Sequence, residues 1–530
     1  MDSTAPESEP AVQEEAAPRA GSRREQALRS LKGEGGLVVL GASLITLSAH
    51  LILVFPANLL GLVAGLACYF RLIGRAGPVR PVRPARSIRA GFLYGSLFGM
   101  LVAAGCLYWF TDVLYVLTTA ERVAGVGVIL GWMMIVALPY GLWAGAVRWW
   151  MRRGRRCPPL VQAIGLLLVQ VLLVEVWLDF PWLQYGYWLA DGPFGAWLGI
   201  LGARWVGLLL LAGAAGIGLW GLVPGAKVQA VVVGVVFGAV LVVPSLGTSG
   251  AQPGDDAAPP LRVAVVSVEQ AFHEDSEEDD LALLSRYALA TRKTSADWVF
   301  WPESVVRNGE ASLGPLASLL AESGQRRRVL VGALLRAPGG GRYNALVELP
   351  GAKTRYYKQR LVPFSEHVPG ALLQRLFALL GVNTLKNNVA VGDAPEPAME
   401  LGGRAGGVAA FPLICYEAAF TELIRPDERP AVLLHVGNEG WFRSAIVHRM
   451  LWAMSAARAL EYGLPLVRVA VNGRSGVFDP SRDLGWAHGG AASGPVVVEE
   501  TLVRPRPSHT LYGTLYGLVR RRFSGTYARH

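Results

Sequence analysis

A chain of 530 residues has room for several soluble domains, but 52% hydrophobic against 17% charged residues excludes that plan. The apolar excess crowds into the first half, so a membrane-embedded part precedes a soluble one. The formal charge of +10 does not point to nucleic acid, because many of the arginines lie between apolar runs, where they set orientation.

Residues 1–35 are rich in Ala, Glu, Ser, Pro and Arg without an apolar period, and read as a disordered cytoplasmic tail rather than a signal peptide. Apolar stretches follow at 37–55, 57–74, 91–110, 124–147, 159–178, 195–220 and 228–245. Each approaches the ~20 residues that carry a helix across a bilayer, so residues 36–247 are expected to form a transmembrane bundle of about seven spans. Arg71, Arg75, Arg80, Arg83, Arg86 and Arg89 crowd the connection between the second and third stretches. Arg148, Arg152, Arg153, Arg155 and Arg156 crowd the one between the fourth and fifth. The alternate connections hold only Asp112, Glu121, Arg122, Asp179 and Asp191. An excess of arginine marks the cytoplasmic side, which places the N-terminus inside and everything beyond the last stretch outside. Glu175, within the fifth stretch, is costly in hydrocarbon and is expected to face protein or a polar cavity.

Residues 248–260 are a Gly/Pro/Asp/Ala linker. From 261 to 508 the pattern changes to short β-rich runs alternating with helical ones. Strands fit 261–268, 298–301, 329–335, 345–349, 408–414, 431–436 and 466–471; helices fit 311–324 and 445–462, with a polar-faced helix between the first two strands. This alternation describes a layered α/β domain. In the basic tail 509–530, Leu511–Val519 is too short to cross before Arg520-Arg521-Arg522, so the tail is expected at the membrane surface.

Of the 4 cysteines, Cys68 and Cys106 lie in apolar stretches and Cys157 in a basic loop; Cys415 is the one in the soluble part. No pair has metal-ligand or disulfide-framework spacing, and no metal or other cofactor is expected. Cys415 ends the apolar run Val408–Ile414 and has Glu417 two residues on. Upstream stand Trp301-Pro302-Glu303-Ser304 and Tyr356-Tyr357-Lys358-Gln359-Arg360-Leu361-Val362-Pro363-Phe364. A thiol attacks as thiolate, so it needs a base and a positive neighbour. Glu303 can supply the first, and Lys358, with the N–H of Tyr416, can stabilise an oxyanion. Glu366 and Glu417 are further carboxylates that can orient the lysine or assist proton transfer. Singly, each has a plain reading: a small buried hydrophobe, a turn carboxylate, a surface lysine with a buried stem. In order, each at the end of a β-like run, they suggest a thiol acyl-transfer site.

These motifs resemble the nitrilase superfamily, which carries a Glu-Lys-Cys triad on an αββα sandwich. With an N-terminal multi-span bundle they resemble its membrane branch, the apolipoprotein N-acyltransferases. The stretches that carry the likeness are Phe180-Pro181-Trp182-Leu183-Gln184-Tyr185-Gly186-Tyr187, Trp301-Pro302-Glu303-Ser304, Tyr343-Asn344, Lys358 with Leu361–Pro369, Ile414-Cys415-Tyr416-Glu417 and Asn438-Glu439-Gly440-Trp441-Phe442. The resemblance implies a Glu303, Lys358, Cys415 triad supported by Glu366, Tyr416, Glu417 and Asn344, with Phe364, Trp441, Phe442 and Trp301 lining the substrate path. It implies transfer of an acyl chain from a membrane phospholipid, through a Cys415 thioester, to the amine of a diacylglyceryl-cysteine lipoprotein. The setting it implies is the inner membrane, with the catalytic domain on the periplasmic side. Ser267, Glu439, Gly440 and His367 depart from the branch's usual residues. The alternative is a membrane-tethered amidohydrolase with the same triad, in which water replaces the amine. A non-enzymatic scaffold would instead leave Cys415 unreactive.

Overall fold

The computed structural model describes residues 20–74, 84–116, 119–176, 180–242, 261–270, 277–321, 327–338, 340–363, 365–368, 374–375, 389–392, 398–403, 406–425, 431–480, 496–502 and 510–516. The first half is helical: α1 (Ala20–His50), α2 (Ala57–Gly74), α3 (Pro84–Leu107), α4 (Thr119–Arg152), α5 (Pro159–Gln170), α6 (Ala196–Gly218) and α7 (Ala226–Val242). Among the described residues, 4 segments are long and apolar enough to cross a membrane: Ala57–Gly74, Ser87–Asp112, Gly125–Arg152 and Pro193–Gly218. Small residues let these helices close on one another. A Cβ at Gly95 of α3 would stand 2.5 Å from the Tyr140 carbonyl of α4, so only glycine permits that approach.

Two expectations for this half need correction. Residues 20–35, expected in a disordered tail, continue α1; helix growth from an apolar nucleus adds one backbone hydrogen bond per residue, and Glu34 pairs with Arg148 at 3.0 Å. The fifth stretch does not run as one α-helix to 178. It leaves α5 at Gln170 for a π-helical turn, Val171–Val176, and short 3₁₀ turns follow at Pro181–Leu183 and Tyr185–Leu189. Glu175 on the π turn accepts from Gln184 Nε2 at 2.9 Å and Arg204 Nη2 at 2.6 Å, the protein partners its position demands.

The second half is a sandwich of two sheets. Its strands are β1 (Leu261–Ser267), β2 (Trp298–Phe300), β3 (Arg328–Arg336), β4 (Arg342–Leu349), β5 (Lys353–Tyr357), β6 (Val389–Ala390), β7 (Met399–Gly403), β8 (Gly406–Ile414), β9 (Ala431–Asn438), β10 (Leu466–Val471), β11 (Gly476–Phe478) and β12 (Val496–Leu502). One sheet runs β12-β1-β2-β3-β4-β5 with β6 beside β4, and the other runs β11-β10-β9-β8-β7. Helices α8 (Glu277–Arg292), α9 (Glu310–Ala321) and α10 (Ala445–Tyr462) complete the layers.

The period-2 alternation of the strands decides which core each side chain joins. Val263 and Val265 meet Val408, Ala410, Ile414, Val432 and Val467 between the sheets. Ala264 and Val266 turn the other way, towards Leu284 and Leu313 of α8 and α9. Phe411, Leu413 and Leu433 face α10, and the core they form is continuous with that of the helical bundle. The α10 layer is therefore shared by the sandwich and the bundle. The strands that sequence periodicity missed are short or lie at sheet edges, where one side is solvated. β5 begins Lys353-Thr354-Arg355 and β12 carries Glu499 and Glu500.

The C-terminal segment 511–516 is a short helix whose Tyr512 and Tyr516 rings pack on Tyr462 of α10. The linker 248–260 and the arginines at 520–522 lie outside the described residues.

Candidate active site

Strand β8 delivers Cys415 into a sharp bend: the residue takes φ +55°, the left-handed region, and the chain turns at once into a 3₁₀ helix over Cys415–Ala419. The buried carboxylate of Glu417 holds that bend against the segment that follows β5. It accepts from the backbone N–H of Ile414 at 2.7 Å, Gln359 at 2.5 Å and Arg360 at 3.1 Å, and from Tyr356 Oη at 3.0 Å. Burial pushes its carboxyl up to about 7 although the three N–H groups favour the charged form. Glu417 is thus a brace for the bend.

The two other members of the predicted triad come from the first sheet. Glu303 follows β2 after Pro302, and Lys358 follows β5, its N–H donating to the Asn344 carbonyl at 2.8 Å. Lys358 Nζ donates to Glu303 Oε1 at 3.0 Å and to Glu366 Oε1 at 2.8 Å. Asn344 Nδ2 donates to Glu303 Oε1 at 2.7 Å, and the N–H of Asn438 reaches Glu303 Oε2 at 2.9 Å. Glu366 Oε2 accepts from the Val362 N–H at 2.8 Å. The Glu303 carboxylate and the Lys358 ammonium both lie near enough to the Cys415 thiol to act on its charge, in opposite directions.

Burial pulls the Lys358 ammonium down, but the carboxylates of Glu303 and Glu366 outweigh it and hold it well above the usual lysine range. Burial and the Glu303 carboxylate push the Cys415 thiol well up, against the pull of Lys358. At neutral pH the resting site therefore holds a protonated thiol beside a permanent cation. The Glu303 carboxylate beside the thiol can take the proton, and the neighbouring cation can meet the negative charge that develops.

Against this geometry the other expected residues sort clearly. Asn344, Glu366, Glu417 and Tyr416 are all at the site. Trp441 is half-exposed, and Phe442 packs edge-on to Trp109 of the bundle at 5.1 Å. Phe364 lies outside the described residues. Trp301 is a correction: its ring is fully buried on the α8 side of the first sheet, beside Tyr287, and its Nε1 donates to Thr291 Oγ1 at 2.9 Å. It keeps the side that Val299 of β2 presents, away from Cys415, and Glu303 reaches the site only because the chain has left the strand after residue 300.

Residues 262–493 match the carbon-nitrogen hydrolase family. A protein of Azotobacter vinelandii named apolipoprotein N-acyltransferase is 31% identical over 427 residues, which span 76% of this chain and 78% of that protein. One of the same name from Pseudomonas syringae pv. tomato is 28% identical over 434 residues, 76% of this chain and 80% of its own. The chain belongs to the apolipoprotein N-acyltransferase family.

In this acyltransferase packed aromatic rings join the residue after the thiol to the bundle. Tyr416 stacks on Trp182 at 5.9 Å, Trp182 meets Trp109 at 4.5 Å, and Trp109 meets Phe110 at 4.2 Å. The Phe-Pro-Trp-Leu-Gln stretch thus supplies the ring that joins the thiol turn to the membrane part. The bundle also grips the segment after Phe442: Tyr108 Oη and Ser444 Oγ are 2.7 Å apart, and Asp112 Oδ2 accepts from the Arg443 N–H at 2.9 Å.

Beneath the bend lies a buried chain that sequence reasoning missed. His435 Nε2 donates to the Cys415 carbonyl at 2.9 Å, and its Nδ1 accepts from Arg468 Nε at 3.1 Å. These partners fix the neutral Nε2–H tautomer, and burial with the nearby Arg468 charge holds the ring well below the usual histidine range. Arg468 in turn pairs with Glu439, which departs from the family's usual residue. The sequence signal was present: His435 and Arg468 are polar positions on the helix-facing side of two otherwise apolar strands. Ser267, another departure, donates to the Ala470 carbonyl at 2.8 Å and ties the two sheets together.

Proposed function

We propose that this acyltransferase moves a fatty acyl chain from a membrane phospholipid to the α-amine of a diacylglyceryl-cysteine lipoprotein, through a thioester on Cys415. Glu303 takes the thiol proton as Cys415 Sγ attacks the phospholipid ester carbonyl. The tetrahedral oxyanion is stabilised by Lys358 Nζ and the Tyr416 N–H. The ester C–O bond breaks, Glu303 returns the proton to the leaving alkoxide, and a lysophospholipid departs. The lipoprotein amine then attacks the thioester, its proton passes to Glu303, the C–S bond breaks, and the proton returns to Cys415. Two easier transfers replace one hard one.

The single observation that carries this reading is the hydrogen-bonded set Glu303–Lys358–Glu366 beside the Cys415 thiol, with the aromatic rings of Tyr416, Trp182 and Trp109 running from the next residue into the bundle. An alkyl chain finds an apolar wall there, and an ester or amine finds a base and a cation. The arginine-rich connections support a catalytic domain on the outer, periplasmic face of the inner membrane. The test is incubation of detergent-solubilised protein with phospholipid vesicles and a synthetic diacylated lipopeptide. The reading expects a triacylated product and, without acceptor, an acyl adduct on Cys415 by intact mass, absent in Cys415→Ser. Acyl release to water with no triacylated product would refute it.

A further inference from the structure

A second buried network joins the bundle to the nucleophile turn by a different route. Helix α6 is broken at Gly202, which takes φ +76° and ψ 160°; the Tyr512 ring fills the space a side chain there would need. The break leaves the Ala203 N–H without a helical acceptor, and Glu461 of α10 takes it: Ala203 N donates to Glu461 Oε1 at 2.7 Å. The same oxygen accepts from Arg458 Nη2 at 2.8 Å. The Arg458 guanidinium lies over the Tyr187 ring, 5.1 Å from its centroid, and Tyr187 Oη donates to the Ala419 carbonyl at 2.8 Å. Ala419 is the last residue of the turn that begins at Cys415. Arg458, Glu461, Tyr187 and Ala203 are all at most 2% exposed.

Such an arrangement is costly to build. A buried ion pair seldom gains stability over apolar packing, and a helix break forfeits backbone hydrogen bonds. What it provides is a rigid, directional link. Each end is a backbone group, one in a membrane helix and one in the thiol turn, and neither end touches Glu303 or Lys358 in any contact given above.

We propose that Tyr187, Arg458 and Glu461 form a positioning strut. It sets the height of the Cys415 turn over the membrane helices, so that an ester still anchored in the bilayer reaches the thiol. The inference rests on the acyl-transfer reading above and adds to it. A water-soluble ester diffuses to the thiol from any direction and does not need that register; a bilayer-anchored one does. A misplacement of about 1 Å is enough to cost two orders of magnitude in a positioned reaction.

The experiment compares two acyl donors on one protein: phospholipid in vesicles containing the reconstituted enzyme, and a short-chain, water-soluble aryl ester. Acyl-enzyme formation on Cys415 is followed by intact mass. Tyr187→Phe removes one hydroxyl and keeps the ring under Arg458. It should lose about tenfold in rate with vesicle phospholipid and stay within about twofold of wild type with the soluble ester. Glu461→Gln keeps an acceptor for Ala203 but breaks the ion pair, and should lose about a hundredfold with phospholipid only. Equal losses with both donors in Tyr187→Phe would make the strut merely structural, and no loss with phospholipid would leave it without a role; either result overturns the inference. A wild-type protein acylated by the soluble ester and never by phospholipid would overturn the acyl-transfer reading itself, and the strut with it.

Discussion

Two buried charge clusters flank the Cys415 bend, and they differ in how their charges balance. On the first-sheet side one ammonium, Lys358, serves two carboxylates, Glu303 and Glu366, with the thiol as a further neighbour. On the second-sheet side one guanidinium, Arg468, serves one carboxylate, Glu439, and spends its other donors on His435 Nδ1 and the Arg474 carbonyl. The first cluster has acceptors in excess, so it can take up a proton. The second has its charges matched by a cation that never deprotonates, so it can only hold geometry. The difference teaches that burial of ionic groups does not by itself mark chemistry; an excess of carboxylates over cations beside a thiol marks a candidate site.

The sharpest way to break that comparison is at Arg468. Arg468→Met leaves Glu439 buried and unpaired, which costs about 3–5 kcal/mol, so the melting temperature should fall by about 10 °C. The double variant Arg468→Met with Glu439→Leu should recover most of it. A normal melting temperature with slowed acyl-enzyme formation would mean that this cluster takes part in chemistry after all.

Lys358→Ala probes the other side. It should reduce the rate of acyl-enzyme formation by the loss of an oxyanion donor, about 2.7–4 kcal/mol, or two to three orders of magnitude. Near-normal turnover in a folded Lys358→Ala protein would remove the lysine from the mechanism.

The smallest expected effect sharpens the role of Glu417, the brace between the two sides. Burial raises its carboxyl from 4.5 to about 7 in the folded protein. The folded state then binds the proton more tightly than the unfolded one. This contribution to stability is fully present below pH 4.5 and is lost as pH rises through about 7. The melting temperature should decline by a few degrees across that window, and Glu417→Gln, lower throughout, should show a flatter profile. A wild-type profile unchanged by the substitution would place the pH dependence elsewhere.

Much of the sandwich was legible because buried strands and amphipathic helices write their periods into the chain. The apolar run Val408–Ile414, the Trp-Pro-Glu segment and the Tyr-Tyr-Lys segment announced their elements. What failed was local. Edge strands such as β5 carry charges on their open side and break the alternation, and Trp301 is placed with Glu303 by closeness in sequence although Trp301 keeps the face of Val299 while the chain turns away from the strand before Glu303. The helical start of α1 was hidden because charged residues fit a helix as well as a disordered tail.

Residue type and order were enough to single out a thiol, a carboxylate and an ammonium as candidates, since such groups have the same chemistry wherever they stand. They also separated membrane from soluble parts, because apolar length is a one-dimensional property. Only the tertiary structure decided which carboxylates share Lys358, that His435 and Arg468 brace the Cys415 carbonyl, and that Tyr187 and Glu461 link the bundle to the thiol turn. Apart from Lys358–Glu366, 8 residues apart, those are contacts between positions tens to hundreds of residues apart. Their existence depends on distances in space that no local pattern encodes.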